Sequence, residues 1–324
     1  MKAIKEKLPD TREEWLAQRA RGLGGSDAGA VMGVNPYKSP YTLWAEKTGI
    51  ISSHVPDNEA MRFGRDMEDY VARRFCEETG KKVQRSGFSF QSDEHPFMLA
   101  NIDRKIIGEN AALECKTANI FAQEGYLSGQ MPPSYYCQCL HYMAVCGFDV
   151  MYLASYIPQK GLHIFAIDRA DPAVAADLTA LIEAEADFWQ LVETRTQPAV
   201  DGSESTKQTL GKLFSKKSDK VADLVDLDEN IARIDQLSKA IRDLKAEQET
   251  LRSQIMDRLL EAGVEEAWTT DKKITWKTRS RTFISSEGYA ALCEDYPEIA
   301  DKYSTTSESR TLTIRKKPKS KKGN

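Results

Sequence analysis

The chain has 324 residues, 41% of them hydrophobic, with a formal net charge of −4, six cysteines and four histidines. That length and apolar content predict two domains with a packed core, and the near-balanced charge excludes a surface coated in positive charge. No apolar run approaches the roughly eighteen residues of a membrane helix, so no membrane association is expected. The first residues (MKAIKEKLPDTREEW) lack an apolar signal core, and the cysteines lack paired CxxC spacing. Both features predict a cytoplasmic protein with reduced, largely buried thiols and no zinc site. The histidines show no metal-ligand spacing, which turns the search for chemistry towards other residues.

In chain order, Thr11 is placed to cap a helix running to Ala20, with Glu14 three residues on to complete a capping box. The run Arg21-Gly22-Leu23-Gly24-Gly25-Ser26-Asp27 follows. Its glycines let backbone approach a ligand, and Ser26 or Asp27 is expected to cap the next helix. Arg19 and Arg21, just upstream, can grip a phosphate bidentately. A plain glycine-rich turn between two helices is the alternative. It is not a nucleotide P-loop, because the GxxxxGK[ST] spacing is absent. Ser39-Pro40 opens another helix that stops at Gly49. Residues 59–79 form an amphipathic helix with Met61, Met67, Val71 and Phe75 at helical spacing. Glu68 flanks that stripe, either as a surface carboxylate or as one reaching over a sheet.

Strands are expected at Phe88–Phe90, Met98–Asp103 and Ala111–Thr117, the last two as central neighbours. Side chains alternate along a strand, so Glu114 and Lys116 share a face while Cys115 points the other way. With Asp103 ending the neighbouring strand, two carboxylates and an ammonium meet at one spot. Carboxylates that close repel unless a cation separates them, and magnesium favours hard oxygen ligands. A lysine beside the ion can position or deprotonate an attacking water. The pattern is that of a metal-dependent phosphodiesterase; an ordinary hairpin with an incidental ion pair is the other reading. After Pro132-Pro133-Ser134, a helix carries Gln138 near its buried face and ends at Gly147. Gln138 is either a satisfied buried amide or a contact to phosphate or metal-bound water. Strands at Val150–Tyr156 and Leu162–Ile167 and a helix at Asp171–Val192 complete an α/β sandwich with helices on both faces.

The C-terminal part has its own organisation. Residues 197–222 read as a polar linker and 223–262 as a heptad-patterned helix, followed by a small α+β extension over 263–324. Ile234, Ile241, Gln248 and Ile255 recur every seven residues, with Leu237, Leu244 and Leu251 between them. A coiled coil, a helical hairpin, or a helix lying on its own domain fits that pattern. Lys273–Ile284 reads as a basic strand pair in which Trp276, Lys277, Arg279 and Arg281 mix aromatic and basic groups as nucleic-acid surfaces do. A strand with a charged outer face fits equally. A helix is expected next, and then a last strand over Thr311–Lys316. The tail holds Arg310, Arg315, Lys316, Lys317, Lys319, Lys321 and Lys322 and no acid from Arg310 onward. It can bind phosphate backbone or stay solvated.

Five separated motifs over about residues 11–192 now line up in order. They are Trp15-x-x-x-Arg19 with Gly24-Gly25-Ser26-Asp27, Gly64-x-x-x-Glu68, Asp103, Glu114-x-Lys116, and Tyr136-x-Gln138 with His141-Tyr142-Met143. Together they resemble the PD-(D/E)XK nuclease superfamily and, within it, the phage recombination exonucleases of the lambda exonuclease or YqaJ type. The resemblance implies an α/β nuclease core over residues 1–196, a central mixed sheet flanked by helices. It implies a metal-dependent exonuclease that resects linear duplex DNA, 5′→3′, to leave 3′ overhangs for phage-type recombination. An endonuclease on the same metal site and a non-catalytic DNA-binding scaffold are the alternatives. By resemblance, Asp103, Glu114 and the Cys115 carbonyl hold Mg2+, for which Mn2+ can substitute. Glu68 helps hold a second ion, Lys116 orients or activates water, and Gln138 supports the site. Arg19 and Ser26 fall where such enzymes hold the 5′-phosphate. The implied partners are double-stranded DNA ends and a phage-type single-strand annealing protein. A homotrimer and a phage or prophage origin in a bacterial host are implied as well. The motif aspartate departs from the family pattern, in which Pro often precedes and Gly follows it. Here Arg104 follows, placed either to touch substrate or to pair with a neighbouring acid.

Overall fold

A computed structural model describes residues 3–8, 11–53, 57–118, 129–214, 222–278, 280 and 283–303, without the side chains of Arg12, Trp15, Leu16 and Ser286. The chain divides into two units, Met1–Lys216 and Lys217–Asn324. The first begins with β1 (Ala3–Lys7), α1 (Arg12–Ala20), β2 (Leu23–Gly24), α2 (Gly25–Val31), α3 (Pro40–Lys47) and α4 (Glu59–Thr79). Then come β3 (Val83–Arg85), β4 (Phe88–Ser92), β5 (Met98–Ala100), β6 (Arg104–Ile106) and β7 (Ala111–Thr117). It closes with α5 (Pro133–Cys146), β8 (Val150–Ile157), β9 (Gly161–Asp168), α6 (Pro172–Glu193) and α7 (Glu204–Leu213). Local chemistry sets these boundaries. Thr11 Oγ1 accepts from the Glu14 N–H at 3.1 Å, Ser39 Oγ from Thr42 and Asn58 Oδ1 from Met61. Gly80 and Gly147 stop α4 and α5 with φ of 70° and 71°, a conformation that favours glycine.

Among the described residues the unit holds two sheets. A four-stranded sheet runs β1-β4-β5-β2, and a five-stranded mixed sheet runs β3-β6-β7-β8-β9. β7 and β8 are parallel because α5 carries the crossover between them; β6 and β9 flank them antiparallel. This corrects the expectation of one strand over Met98–Asp103. Met98–Ala100 pairs within the small sheet, and β6, starting at Arg104, pairs with β7. Met98, Leu99 and Ala100 are all buried, and Ile102 turns into the same core. The backbone therefore bends before it enters the second sheet, and Asp103 stands at the junction of the two.

Helices cover both faces of the five-stranded sheet. Ala111 and Leu113, with Cys115 packed beside them, face Val71 and Phe75 of α4. Ala112 faces the opposite core with Leu140, Met143 and Ala144 of α5, and Val174, Leu178 and Leu181 of α6 support it. Each fully buried Leu or Met stabilises by about 1.5–3 kcal/mol, so α5 is a firm platform. Only the second half of the α4 stripe is used: Val71 and Phe75 are buried while Met61 is exposed.

Residues 197–222, expected as a linker, contain α7. Thr42 Oγ1 lies 2.7 Å from Ser205 Oγ and 2.9 Å from Thr209 Oγ1, and Thr206 donates to Ser39 at 2.7 Å. The contact is built from hydroxyls on α3 and α7, and a hydroxyl face carries no hydrophobic periodicity to read.

In the second unit a 3₁₀ turn (Val225–Leu227) leads into α8 (Asp228–Ala262), followed by β10 (Glu266–Trp268), β11 (Lys273–Thr275), α9 (Ser286–Asp295) and α10 (Pro297–Tyr303). α8 is a single uninterrupted 35-residue helix, which removes the helical-hairpin reading. β11 pairs with β10 upstream of it, so the expected strand pair over Lys273–Ile284 is corrected. Lys273 and Lys277 both pair with Glu266 there. Arg279, Arg281, the Thr311–Lys316 strand and the basic tail lie outside the described residues. All six cysteines are free; Cys137 and Cys139 are buried, Cys76, Cys115 and Cys146 half-buried, and Cys293 exposed. No helix among the described residues is long and apolar enough to cross a membrane.

Candidate active site

β7 projects Glu114 and Lys116 onto the α5 side of the sheet, where Gln138 and Tyr142 are one helical turn apart. Glu114 is 3% exposed, yet its carboxylate is well served on one oxygen. Lys116 Nζ lies 2.6 Å from Glu114 Oε1, and Gln138 Nε2 donates to that oxygen at 2.6 Å. Gln138 also donates to the Tyr142 hydroxyl at 2.9 Å. Glu114 Oε2 is buried with no hydrogen-bond partner. Asp103 reaches the same place from the sheet junction, where its Oδ2 accepts from the Cys115 N–H at 2.8 Å.

The electrostatics follow from this crowding. Burial, and then the nearby Glu114 charge, push the Asp103 carboxyl well above its usual range, opposed by Lys116 and the Cys115 N–H. Burial pulls Lys116 down, but Glu114 and Asp103 outweigh it and hold the ammonium charged. A buried Asp103 carboxyl that resists ionisation beside Glu114, with one Glu114 oxygen orphaned, forms a site short of positive charge.

The glycine-rich loop joins from the other side. Gly24 is the N-cap of α2, which corrects the expected Ser26 or Asp27 cap; Asp27, three residues on, accepts from the Gly24 N–H at 3.1 Å. Ser26 is thereby left to accept from Arg19 at 2.8 Å. Asp27 lies 3.2 Å from Arg19 and 2.9 Å from Lys47. Burial raises its carboxyl, and Lys47 and Arg19 together overcome that and hold it well below the usual range. Lys47 also donates to the carbonyls of Arg19 and Gly22, which locks the loop. A Cβ on Gly25 would sit 2.5 Å from Tyr142 Cε1 and 3.1 Å from Gln138 Cγ, so only glycine lets the loop meet α5 this closely.

A cavity of about 240 Å3 gathers these groups: Arg19, Gly24, Gly25, Ser26, Asn101, Asp103, Glu114, Gln138 and Tyr142 all line it. Of the expected site residues, Arg19, Ser26, Asp103, Glu114 and Gln138 are together there, with Lys116 bonded to Glu114. Glu68 stands apart from that lining. Arg104, 4% exposed, pairs with Glu68 and with Asp69 Oδ1 at 2.6 Å, and donates to the Asp103 carbonyl at 2.7 Å. Arg104 thus pairs with acids, and Glu68 lends Asp103 negative charge through space. Among the described residues no three His, Cys, Asp or Glu side chains converge as a metal cluster. The side chain of Trp15 lies outside the described residues.

Three further residues stand at the site without a role expected from the sequence, Tyr142 among them although it belongs to the His141-Tyr142-Met143 motif. Asn101 lines the cavity with a buried, unpartnered Oδ1; its spacing of two from Asp103 was the available signal. Tyr142, four residues after Gln138, follows helical spacing. Lys47, twenty positions beyond Asp27, had no local signal.

The family model of the YqaJ-like viral recombinase domain matches residues 14–149, which contain all of these groups. The uncharacterized protein YqaJ of Bacillus subtilis (strain 168) is 31% identical over 312 residues, covering 94% of each chain. Among solved structures, the alkaline exonuclease LHK-Exo of Laribacter hongkongensis is 23% identical, covering 56% of this chain and 97% of that one, with a TM-score of 0.44. A phage-related exonuclease of Haemophilus somnus 129PT is 12% identical, covering 54% and 96%, with a TM-score of 0.41. On the strength of the family match and the near full-length Bacillus relative, this chain belongs to the family of the YqaJ-like viral recombinase domain.

Proposed function

We propose that this chain is a divalent-metal-dependent deoxyribonuclease that resects linear duplex DNA from its 5′ ends, leaving 3′ single strands for recombination. One observation carries the reading: a single cavity is lined by Asp103 and Glu114 and also by Arg19 and Ser26. Carboxylates answer to a hard cation, and a guanidinium with a hydroxyl answers to a terminal phosphate. The family's description as a viral recombinase supports a place in recombination, where an annealing protein would receive the single strand.

The residues fit a divalent ion. The orphaned Glu114 Oε2 and Asp103 would hold it, with the Cys115 carbonyl as the third ligand that the family resemblance implies. Bound there, magnesium, or manganese in its place, supplies Lewis acidity towards a phosphate oxygen. The rest falls to the chain. Gln138 and Lys116 fix Glu114 through Oε1, which leaves Oε2 uncommitted. Lys116, 24% exposed and held charged, donates to the attacking water and meets the negative charge that builds on the phosphate. Arg19, steadied by Ser26 and Asp27, receives the 5′-phosphate and sets the scissile bond over the carboxylates. Glu68, engaged by Arg104, contributes field rather than a ligand position. The nearby thiols are no nucleophiles, since burial pushes Cys115 and Cys139 up, away from the thiolate.

The test is magnesium-dependent digestion of linear and closed circular duplex, with 5′-phosphate and 5′-hydroxyl ends compared. Loss of the linear form alone, faster from 5′-phosphate, is the expected result. Cutting of the circle would move the chain to the endonuclease class, and no cutting of either would leave a DNA-binding scaffold.

A further inference from the structure

Three buried acceptor oxygens belong to residues that line the cavity of about 240 Å3, and none has a hydrogen-bond partner: Glu114 Oε2, Asn101 Oδ1 and Gln18 Oε1. The first is a carboxylate oxygen; the other two belong to neutral amides. The small sheet sets the amides in place. Its register puts Glu6 opposite Ser89 and Phe90 opposite Ala100, so one step on Ser89 stands beside Asn101. Residues directly opposite share a face, and Gln18 of α1 lies on that row. Its Nε2 donates to Glu6 Oε2 at 2.9 Å and to Ser89 Oγ at 2.8 Å. Both N–H groups are then spent, one of them on a carboxylate that only accepts, so the amide cannot turn over. Gln18 Oε1 is thereby fixed as the acceptor end. Asn101 ends the row, two positions before Asp103.

A buried acceptor left unpaired is destabilising, so these amide oxygens answer to a donor that arrives with the ligand. The DNA backbone brings none: a phosphodiester only accepts, and deoxyribose lacks the 2′-hydroxyl. The N–H groups of a paired base are engaged by its complement. The donor that remains is water carried by the divalent ion. Magnesium gives up its waters reluctantly and is held through one or two carboxylates, here Asp103 and Glu114. Its remaining waters are polarised O–H donors, and groups that accept from them orient the ion as firmly as its ligands do. A neutral amide oxygen competes weakly with water for so hard an ion, which sets Asn101 outside the direct ligands. Resting on the metal-dependent reading of this cavity, we propose that Asn101 is a positioning residue whose Oδ1 accepts from a water on that ion and so fixes ion and water together beside the two carboxylates.

Calorimetric titration of magnesium chloride into the full chain, without DNA, reads this role apart from cleavage. Asn101→Leu removes the acceptor at nearly constant shape and should weaken magnesium binding about 10–100-fold. Asn101→Asp keeps an acceptor there and should bind magnesium at least as tightly as wild type. Without metal, Asn101→Leu should unfold no earlier than wild type, because it deletes an orphaned polar atom. Its rise in unfolding midpoint on adding magnesium should shrink. A crystal of the full chain soaked in manganese should show a water between the ion and Asn101 Oδ1. Unchanged magnesium affinity in Asn101→Leu, equal losses in Asn101→Leu and Asn101→Asp, earlier unfolding of metal-free Asn101→Leu, or a direct bond from Oδ1 to manganese would each overturn the proposal. A wild type that binds no magnesium would overturn the metal reading along with it. A wild type that binds magnesium and cleaves, beside an unaffected Asn101→Leu, removes the role of Asn101 alone.

Discussion

His141→Leu probes the platform on which the site stands. His141 and Glu185 are both fully buried, one on α5 and the other on α6. His141 Nδ1 lies 2.9 Å from each oxygen of Glu185, and Nε2 lies 2.9 Å from the Leu99 carbonyl. A carbonyl only accepts, so Nε2 carries a proton; with Nδ1 aimed at a carboxylate, the ring is an imidazolium. Burial pulls His141 down, but the Glu185 charge and hydrogen bond outweigh it and raise the group above its ordinary value. Leucine in its place strands a buried carboxylate, which destabilises by about 3–5 kcal/mol. For a unit of this size that is roughly 6–20 °C in the unfolding midpoint. The pH dependence has a definite sign. A folded-state value above the unfolded one (about 6.5) makes the contribution complete below about pH 6.5. It is lost as pH rises through the folded-state value, so the gap between wild type and variant should narrow in alkali. The double variant His141→Leu with Glu185→Leu should recover much of the loss, because an apolar pair leaves no charge behind. Thermal unfolding followed by circular dichroism across pH reads all three effects. A shift under about 2 °C, a gap independent of pH, or a double variant no better than the single one would refute the buried ion pair.

Lys116→Ala should lower the cleavage rate by about 10²–10⁴-fold while DNA binding persists; single-turnover digestion beside a filter-binding assay separates the two. Gln138→Leu removes one of the two partners of Glu114 Oε1, leaving Lys116, and the donor to the Tyr142 hydroxyl, and should cost about 10–100-fold in activity or metal affinity, measured by calorimetric titration of the ion. Gly25→Ala must displace Tyr142 or the loop, so its product should unfold earlier and cleave slowly even at saturating DNA. Asp27→Asn leaves Lys47, with 8% side-chain exposure, without its carboxylate, a loss of about 3–5 kcal/mol near neutral pH. Asp27 is held below its unfolded value (about 3.9), so its contribution is present above that pH and fades as pH falls through the depressed folded value. Acid titration should therefore close the gap between wild type and Asp27→Asn.

Much of this protein is written locally. Caps at Thr11, Ser39, Asn58 and Asp171, and glycines at 80 and 147, mark helix ends because each satisfies or releases backbone groups within its own turn. The period of two along Ala111–Thr117 put Glu114 and Lys116 on one face before any partner was known. Tertiary structure decided the rest. It bent the chain between Ala100 and Arg104, so that Asp103 sits where two sheets meet rather than at the end of a strand. It assigned Arg104 to Glu68 and Asp69, brought Lys47 to Asp27 across twenty positions, and docked α7 through hydroxyls that no hydrophobic pattern reveals. Local chemistry sets which face a side chain takes, because backbone geometry repeats every two or 3.6 residues. Which charges then meet is set by the packing of distant elements, and the cavity that joins Arg19 and Ser26 to Asp103 and Glu114 exists only once α5, the glycine loop and the sheet junction are assembled.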